Sequence, residues 1–322
     1  MKLTIDQIKS ITVGAIDVAE LEDGIHFYRY TPRQTEAWYA HADRFGDRSL
    51  QTAGVRLDFE TNSKHFAFEA SRGNKFELLI DGVLQRQFVR REGEALLCGE
   101  VELPLRTYPT GESCRMTLYL PSHSRGVLTS VTLDDGAYVK PIEHKEKILF
   151  IGDSITQGWD ATFDTNSYAI RTTRFFDANS VVQGIGGAFY HEDTFDVIDY
   201  DPDKVIVAYG TNDAFAFPEY DVMRGHVTKF LDLVKETYGD RPVFVISPVW
   251  RGDEEGNSMD ETFVAKREMI EREAAARGFT VLCGLQMVPP TPEHYADKYL
   301  HPNDVGFAAY AERLCKILSE SK

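Results

Sequence analysis

Residues 148–158 read Ile-Leu-Phe-Ile-Gly-Asp-Ser-Ile-Thr-Gln-Gly, an apolar run that ends in Gly152, Asp153 and Ser154. Four consecutive apolar residues without polar alternation are typical of a parallel strand that is covered on both faces of its sheet. The glycine permits a tight exit from the strand, and Ser154 then lies at or near the start of a helix. This strand-to-helix step predicts an α/β domain around it.

Further apolar runs follow this strand at residues 181–182, 205–209, 243–246 and 279–282. Between and after these runs, apolar residues recur at helical spacing in residues 220–237, in residues 260–277 and beyond Asn303, which is a good N-cap. Strands that alternate with helices build a parallel sheet with helices on both faces. The second half of the chain is therefore predicted to be a doubly wound α/β domain.

The first half carries a different pattern, in which apolar and polar residues alternate over short runs. These runs are typical of half-buried antiparallel strands, and they occupy residues 55–60, 65–70, 76–80, 86–89 and 115–120. Many short strands with turn signals between them, such as Asp81-Gly82, predict an all-β sandwich of the jelly-roll type. We place the domain boundary at the charged stretch 143–147, which gives a β-sandwich domain over residues 1–142 and an α/β domain over residues 143–322.

The charge balance excludes several classes of partner. The 322 residues carry 35 Lys and Arg against 51 Asp and Glu, a formal net charge of −16. A surface of this sign repels nucleic-acid phosphates and anionic membranes, so we expect neither as a partner. No segment approaches about 18 consecutive apolar residues, and no signal-peptide pattern opens the chain. We therefore expect a soluble cytoplasmic protein with a small-molecule or oligosaccharide partner, while the sequence specifies no oligomeric state.

Four cysteines, Cys98, Cys114, Cys283 and Cys315, show no CxxC pairing. Such spacing gives no sign of a metal site or of a disulfide framework. Unpaired cysteines most often pack as small apolar side chains. We therefore predict four free thiols in the core.

Ligands of an open parallel sheet bind outside the carboxyl ends of its strands, so the residues that follow each apolar run form the candidate site. Ser154 follows the first strand, and its hydroxyl is either a helix cap, a common role of serine, or a nucleophile aimed into a cleft. The second strand ends in Gln183-Gly184-Ile185-Gly186-Gly187, where the backbone N–H of Gly184 can approach a ligand. A phosphate cradle is the weaker interpretation, because the spacing is not GxGxxG and no Gly-Lys-Ser/Thr follows.

Two further strand ends add an amide and an imidazole. Asn212, in Tyr209-Gly210-Thr211-Asn212-Asp213, offers an NH₂ group that can donate to a developing oxyanion, although asparagine is also an ordinary turn residue. His301 comes just before Pro302 and the last helix, and it supplies the base that the other strand ends lack. The four strand ends together hold a nucleophile, hydrogen-bond donors and a base.

These residues carry a resemblance to a known family. Four segments occur in the order of the four conserved blocks of the SGNH/GDSL hydrolases: Gly152-Asp153-Ser154, the turn at Gly184, Gly210-Thr211-Asn212-Asp213 and His301-Pro302-Asn303. The sequence resembles this family over about residues 147–320, which implies a flavodoxin-like α/β/α domain. The resemblance further implies that Ser154 is the nucleophile and His301 the base, with an oxyanion hole made by the N–H groups of Ser154 and Gly184 and the side chain of Asn212.

One position departs from the family pattern. The family usually has an aspartate three residues before the histidine, where this chain has Lys298, and Asp297 lies one residue further back. Either a local extra residue brings Asp297 to the ring, or a backbone carbonyl orients His301 and the enzyme uses a Ser–His dyad. We favour Asp297, because a carboxylate fixes the tautomer and stabilises the imidazolium. A metal site with His294, Asp297 and His301 has no matching ligand cluster in the sequence, so we expect neither metal nor cofactor.

The order of the two domains suggests a substrate class. A β-sandwich before an SGNH domain resembles the family-2 carbohydrate esterases of the acetylxylan esterase type, which implies deacetylation of short acetylated oligosaccharides. A general short-chain acyl esterase or lipase, an acyltransferase that uses the same serine, and an inactive carbohydrate-binding protein are the alternatives. Trp159 and Trp250 follow strand ends, where each either lines the acyl or sugar pocket or packs in the core.

Overall fold

The computed structural model describes residues 1–108, 111–252 and 261–321, and it divides into two compact units. The units are unit 1, made of Met1–Arg29 and Leu50–His144, and unit 2, made of Tyr30–Ser49 and Lys145–Lys322. The change from unit 1 to unit 2 between His144 and Lys145 lies close to the predicted boundary at residues 142 and 143. The segment Tyr30–Ser49 differs from that prediction, because it packs with the α/β unit rather than with the β-sandwich.

In its described residues, unit 1 is built from short antiparallel strands and one helix, α1 (Ile5–Ile11). The strands are β1 (Thr12–Val13), β2 (Asp17–Leu21), β3 (Gly24–Tyr28), β4 (Arg56–Thr61), β5 (His65–Arg72), β6 (Lys75–Ile80), β7 (Val83–Val89), β8 (Leu97–Glu102), β9 (Arg106–Tyr108), β10 (Gly111–Tyr119), β11 (Val127–Leu133) and β12 (Lys140–Pro141). One sheet has the order β1-β4-β10-β6-β7, with β12 on β4 and β9 on β10, and the other has the order β2-β3-β11-β5-β8.

The two sheets of unit 1 share one apolar core. Phe68 of β5 in the second sheet packs on Phe76 and Phe88 of the first, with ring centroids 5.1 and 5.2 Å apart. The alternation of buried and exposed residues along β5 places every second side chain in this core. The predicted β-sandwich is confirmed, and the jelly-roll topology stays a prediction.

Unit 2 contains the parallel strands and most of the helices. The strands are β13 (Glu146–Gly152), β14 (Ala178–Gly184), β15 (Lys204–Ala208), β16 (Val243–Ile246) and β17 (Thr280–Leu282). The helices are α2 (Pro32–His41), α3 (Asp43–Ser49), α4 (Ser154–Gln157), α5 (Tyr168–Phe175), α6 (Asp213–Ala216), α7 (Tyr220–Tyr238), α8 (Glu261–Ala276) and α9 (Asp304–Glu320), and short 3₁₀ turns span Asp164–Asn166, Glu192–Thr194, Gly284–Gln286 and Pro292–His294.

The five strands of unit 2 form one parallel sheet in the order β14-β13-β15-β16-β17. This is the 2-1-3-4-5 order of flavodoxin-like folds, whose switch point lies at the first strand. The predicted doubly wound α/β domain is therefore confirmed. The ends of β13, β14 and β15 lie side by side, which brings the predicted blocks to one edge of the sheet.

The predicted helices are present in the structure, whereas the predicted burial of the four cysteine thiols is only partly confirmed. Residues 220–237 and the helix after Asn303 form α7 and α9 as predicted, and residues 261–276 form α8, while Asp260 of the predicted range lies outside the described residues. All four cysteines are free, but the prediction of core burial is wrong for Cys98, which is exposed, and only partly right for Cys283, which is half-buried. Within the described ranges, none of the helices is long and apolar enough to cross a membrane.

Candidate active site

The nucleophile candidate lies at the first turn of α4, directly after β13, which lies between β14 and β15 in the sheet. Asp153 is the N-cap of this helix, and its carboxylate accepts a hydrogen bond of 2.9 Å from the N–H of Ile155. A Cβ on Gly152 would lie 2.1 Å from Oγ1 of Thr156, so only glycine permits this tight exit. Because Asp153 caps the helix, the alternative role of Ser154 as the cap is wrong. Its hydroxyl instead reaches another segment.

That segment carries His301. The ring Nε2 of His301 lies 2.9 Å from Oγ of Ser154, which is hydrogen-bond distance. Asn303 anchors the end of the segment, since its side-chain oxygen caps α9 by accepting from the N–H groups of Val305 and Gly306 at 3.0 and 3.1 Å. The predicted nucleophile and base are thus in contact.

Asp297 reaches the other ring nitrogen despite its unusual spacing. Its Oδ2 lies 3.1 Å from Nδ1 of His301, and its Oδ1 accepts from the backbone N–H groups of Tyr299 and Leu300 at 3.0 and 2.8 Å. Lys298 has a φ of 75°, a left-handed conformation that non-glycine residues rarely adopt. This residue is the local insertion that lets an aspartate four residues before the histidine fold back onto the ring.

The surroundings of Asp297 favour its ionised form. Burial raises the pKa of this carboxyl, but the N–H groups of Leu300, Tyr299 and His301 outweigh burial and hold the pKa below its ordinary value. A carboxylate can then accept the Nδ1 proton of His301 and leave Nε2 unprotonated toward Ser154. The three side chains have the arrangement of a Ser–His–Asp triad.

Two residues just after α4 also meet the histidine. The ring of Trp159 stacks on that of His301, with centroids 6.1 Å apart and an interplanar angle of 28°. A carboxylate oxygen of Asp160 lies 3.3 Å from Nδ1 of the same ring. No sequence pattern relates Asp160 to His301, so this contact was not predicted. Trp250 instead is half-buried and packs against the core, with its ring centroid 4.9 Å from that of Tyr295.

Asn212 lies at the N-cap of α6, after the end of β15. Its Nδ2 donates to the carbonyl of Ala188 at 2.9 Å, which fixes the amide and uses one of its two hydrogens. The second hydrogen can serve an oxyanion. Asn212 therefore keeps its predicted role as a candidate donor.

The glycine turn after β14 contains two different kinds of glycine. A Cβ on Gly184 would lie 2.5 Å from the backbone nitrogen of Gln157, so this glycine lets β14 approach α4 closely. Gly187 has a φ of 85°, and its N–H has no hydrogen-bond partner in the part of the chain that the structure describes. Gly184 stays a predicted oxyanion donor, and Gly187 is a second candidate that the sequence analysis did not single out.

The segment Tyr30–Ser49 contributes Arg48 to the rim of the site. Its guanidinium donates to the carbonyl of Gly186 and lies 5.1 Å from the ring centroid of Trp159. Phe45 lies beside Gly187, where a Cβ would be 3.1 Å from its ring. The helices α2 and α3 thus support the turn that carries the candidate oxyanion donors.

Two buried acids lie beside the catalytic groups. Burial raises the pKa of Asp153 to about 7, and burial together with the charge of Asp153 raises the pKa of Asp213 to about 7. Asp213 accepts from the N–H of Tyr190 at 2.8 Å, which ties the loop after β14 to α6. These carboxyls organise backbone amides rather than contact the nucleophile.

Two clusters in the described residues could hold a metal ion by ligand type. One is Asp160, Asp297 and His301, which is the triad region itself. The other is His191, Glu192 and His226, where the two rings stack at 4.5 Å and Glu192 is bonded to Lys229 at 2.7 Å. His294 belongs to neither cluster, and its Nδ1 bonds Thr291 at 2.9 Å.

Comparisons with known proteins agree with this geometry. The sequence model of the GDSL-like lipase/acylhydrolase family matches residues 150–309. Comparison with curated proteins gave no match. A solved salicylyl-acyltransferase from a tetracycline biosynthetic pathway is similar over 96% of this chain and 94% of its own, with 19% identity and a TM-score of 0.80.

Two carbohydrate esterases share the fold as well. A family two carbohydrate esterase from Cellvibrio japonicus matches 99% of this chain and 97% of its own, with 16% identity and a TM-score of 0.66. An acetyl xylan esterase from Butyrivibrio proteoclasticus matches 99% of this chain and 98% of its own, with 14% identity and a TM-score of 0.65. The fold, the contact of Ser154 with His301 and the sequence match agree, and residues 150–309 of the chain match the GDSL-like lipase/acylhydrolase family.

Proposed function

We propose that this ester hydrolase removes acetyl groups from short acetylated carbohydrates through an acyl-enzyme on Ser154. The observation that carries the proposal is the 2.9 Å contact between Ser154 Oγ and His301 Nε2, together with the carboxylate of Asp297 at 3.1 Å from Nδ1. A serine hydroxyl is a poor nucleophile until a neighbouring base takes its proton. The arrangement supplies that base in the required tautomer.

The reaction divides into acylation and deacylation. His301 takes the hydroxyl proton of Ser154 as Oγ attacks the ester carbonyl, and the tetrahedral oxyanion accepts from the amide of Asn212 and from backbone N–H groups of the glycine turn. The protonated ring then gives its proton to the leaving alcohol, which departs from the acyl-enzyme. Water attacks the acyl-enzyme with His301 as base, and the protonated ring returns the proton to Ser154 Oγ as acetate leaves.

The substrate class rests on two supporting observations. Family two carbohydrate esterases and an acetyl xylan esterase share the fold across nearly the whole chain, including the β-sandwich. The formal net charge of −16 favours a neutral substrate over an anionic one. Short acetylated xylo-oligosaccharides meet both conditions.

The test measures acetate release from acetylated xylo-oligosaccharides and nitrophenol release from nitrophenyl acetate. We expect turnover by the wild-type protein and a loss of at least about 10⁴-fold in kcat for Ser154→Ala. Ser167→Ala is the matched control, since Ser167 is also a buried serine at a helix start, where its Oγ accepts from Ile170 N–H. Turnover by Ser154→Ala equal to that of Ser167→Ala would contradict the proposed nucleophile.

The fold match to a salicylyl-acyltransferase favours one second candidate, acyl transfer. The same acyl-enzyme can be attacked by an acceptor hydroxyl instead of water. A sugar acceptor added to the nitrophenyl acetate assay would then become acetylated faster than free acetate appears. A folded wild-type protein without any turnover would instead point to the carbohydrate-binding alternative, and nitrophenyl esters of longer chains separate an acetylesterase from a general esterase.

A further inference from the structure

We propose that Asp160 is a second positioning carboxylate for His301, which holds the imidazole against the segment that carries the nucleophile. The proposal rests on the proposed function, because it assigns a role in the same reaction. Asp160 Oδ2 lies 3.3 Å from Nδ1 of His301, and Asp297 Oδ2 lies 3.1 Å from the same atom. The ring nitrogen thus faces two carboxylates.

The two carboxylates belong to different segments. Asp297 is four residues from His301 and accepts from backbone N–H groups of its own loop, so it fixes the ring relative to that loop. Asp160 follows α4, where the N–H groups of Gly158 and Trp159 both donate to the carbonyl of Ser154 at 3.0 Å. The position of Asp160 is therefore tied to the nucleophile itself, and its carboxylate connects the two halves of the Ser–His pair.

The local backbone supports this role. Asp160 has a φ of 67°, a left-handed conformation that aspartate and asparagine adopt more readily than most residues. This conformation places the side chain at the ring rather than along the loop. The stacked ring of Trp159 meets His301 as well, so one short segment both stacks on the imidazole and places a carboxylate at its edge.

Charge gives the second carboxylate a function during catalysis. When His301 takes the proton of Ser154, the ring becomes a cation, and an anion at 3.3 Å stabilises that form. The side chain of Asp160 is 40% exposed, against 20% for Asp297, so solvent weakens its contribution. Asp297 is therefore the stronger of the two carboxylates and Asp160 the weaker.

The experiment compares Asp160→Asn and Asp297→Asn, singly and together, in steady-state hydrolysis of nitrophenyl acetate. Asparagine keeps the left-handed backbone at residue 160 and removes only the charge. For Asp160→Asn we expect a loss of about two- to fivefold in kcat, the scale of a partly exposed ion pair, with KM unchanged. We also expect the acid limb of the pH–rate profile to move to lower pH, because the ring cation loses an anion.

The double variant tests whether the carboxylates replace one another. For Asp297→Asn alone we expect a loss of about 10²- to 10³-fold in kcat. If Asp160 then orients the ring, adding Asp160→Asn to the Asp297→Asn variant should lower kcat by a larger factor than Asp160→Asn does in the wild type. An unchanged kcat and an unchanged acid limb on adding Asp160→Asn, in both backgrounds, would overturn the proposal.

Asp304→Asn is the matched control. Asp304 also joins the loop after α4 to the segment after His301, since its Oδ1 accepts from the N–H of Thr162 at 2.9 Å, but it does not bond the ring. A purely structural bridge would give the same result for both aspartates. We expect Asp304→Asn to leave the acid limb unchanged, and an equal shift in both variants would count against a specific role of Asp160.

A measurement without turnover separates this inference from the proposed function. The downfield Nδ1–H proton resonance of His301, assigned by its loss in His301→Gln, is expected in the free protein. In Asp160→Asn it should move upfield and exchange faster with water. Absence of wild-type turnover would overturn the proposed function alone. An unaltered resonance in Asp160→Asn would overturn the positioning role of Asp160.

Discussion

Asn212 is held in place by one of its two amide hydrogens and keeps the other for chemistry. The bond to the carbonyl of Ala188 at 2.9 Å prevents rotation of the side chain. Donors that are fixed before the reaction stabilise a developing oxyanion without reorganisation. The contribution of Asn212 is therefore expected in the transition state rather than in substrate binding.

We predict that Asn212→Ala lowers kcat for nitrophenyl acetate by about 10²- to 10³-fold and leaves KM nearly unchanged. Asn166→Ala is the control, since the side chain of Asn166 accepts from Arg171 at 2.9 Å and has no bond to the site. A rise in KM with kcat preserved would show that Asn212 binds substrate instead.

Lys298 and Asp160 show what spacing alone could not predict. The left-handed backbone at Lys298 brings Asp297 onto His301, and a residue-by-residue pattern with the aspartate three positions before the histidine cannot represent that bulge. Asp160 lies far from His301 in the sequence and meets it only through the packing of α4. Ser154 was predictable because it follows the end of β13 and parallel strands deliver their carboxyl ends to the same edge, and His301 was predictable from its position just before the last helix.

Helix α2 was not predicted, although the residues at its start form a typical helix N-terminus. Thr31, Pro32 and Gln34 form a capping box with proline at the first helical position, and both reciprocal bonds are present. The helix lies between strands of the β-sandwich in sequence, so the surrounding alternation masked it. What the sequence could not indicate is the partner of the helix, because packing with unit 2 depends on residues far along the chain.

A buried amide pair fastens this helix. Gln34 and Gln183 donate to each other at 3.3 and 3.1 Å, and Gln34 also donates to the carbonyl of Thr194 at 3.2 Å. Both side chains are buried, at 2% and 3% exposure. Removal of one partner leaves the other side chain buried without its hydrogen bond, which lowers the free energy of unfolding.

We predict that Gln34→Ala lowers the free energy of unfolding by about 2–4 kcal/mol, the sum of a lost cap and an unsatisfied buried amide. Gln7→Ala is the matched control, because Gln7 occupies the same capping-box position in α1 but is only half-buried and its capping bond is exposed to solvent. The control should cost only about 1 kcal/mol. Equal losses in urea unfolding would show that the buried pair contributes nothing.

For the molecule as a whole, the two buried acids set a dependence of stability on pH. The pKa of Asp213 is raised to about 7 from an ordinary value of 3.8, so the folded state binds more protons than the unfolded state between these values. Stability from this group is therefore fully present below about pH 4 and is lost as pH rises through about 7. Asp153, raised to about 7, acts in the same direction.

We predict that Asp213→Asn becomes more stable relative to the wild type as pH rises from about 4 to about 8, by at least about 1 kcal/mol, since one pKa unit corresponds to about 1.4 kcal/mol. The measurement is urea unfolding across that range. Asp199→Asn is the control, because Asp199 is exposed. A parallel course for Asp213→Asn and wild type would exclude the raised pKa.

The discontinuity of unit 2 has a consequence for synthesis. Gln34 leaves the ribosome 149 residues before its partner Gln183, an interval of roughly 7 to 30 s at ordinary elongation rates of about 5–20 residues per second. During that time Trp38 of α2 can pack on Phe45 of α3, but it lacks its partner Phe189 from the loop after β14. The helix must stay free of aggregation and misfolding until β14 emerges. Slowed translation between Gln34 and Gln183 should therefore reduce the yield of active protein.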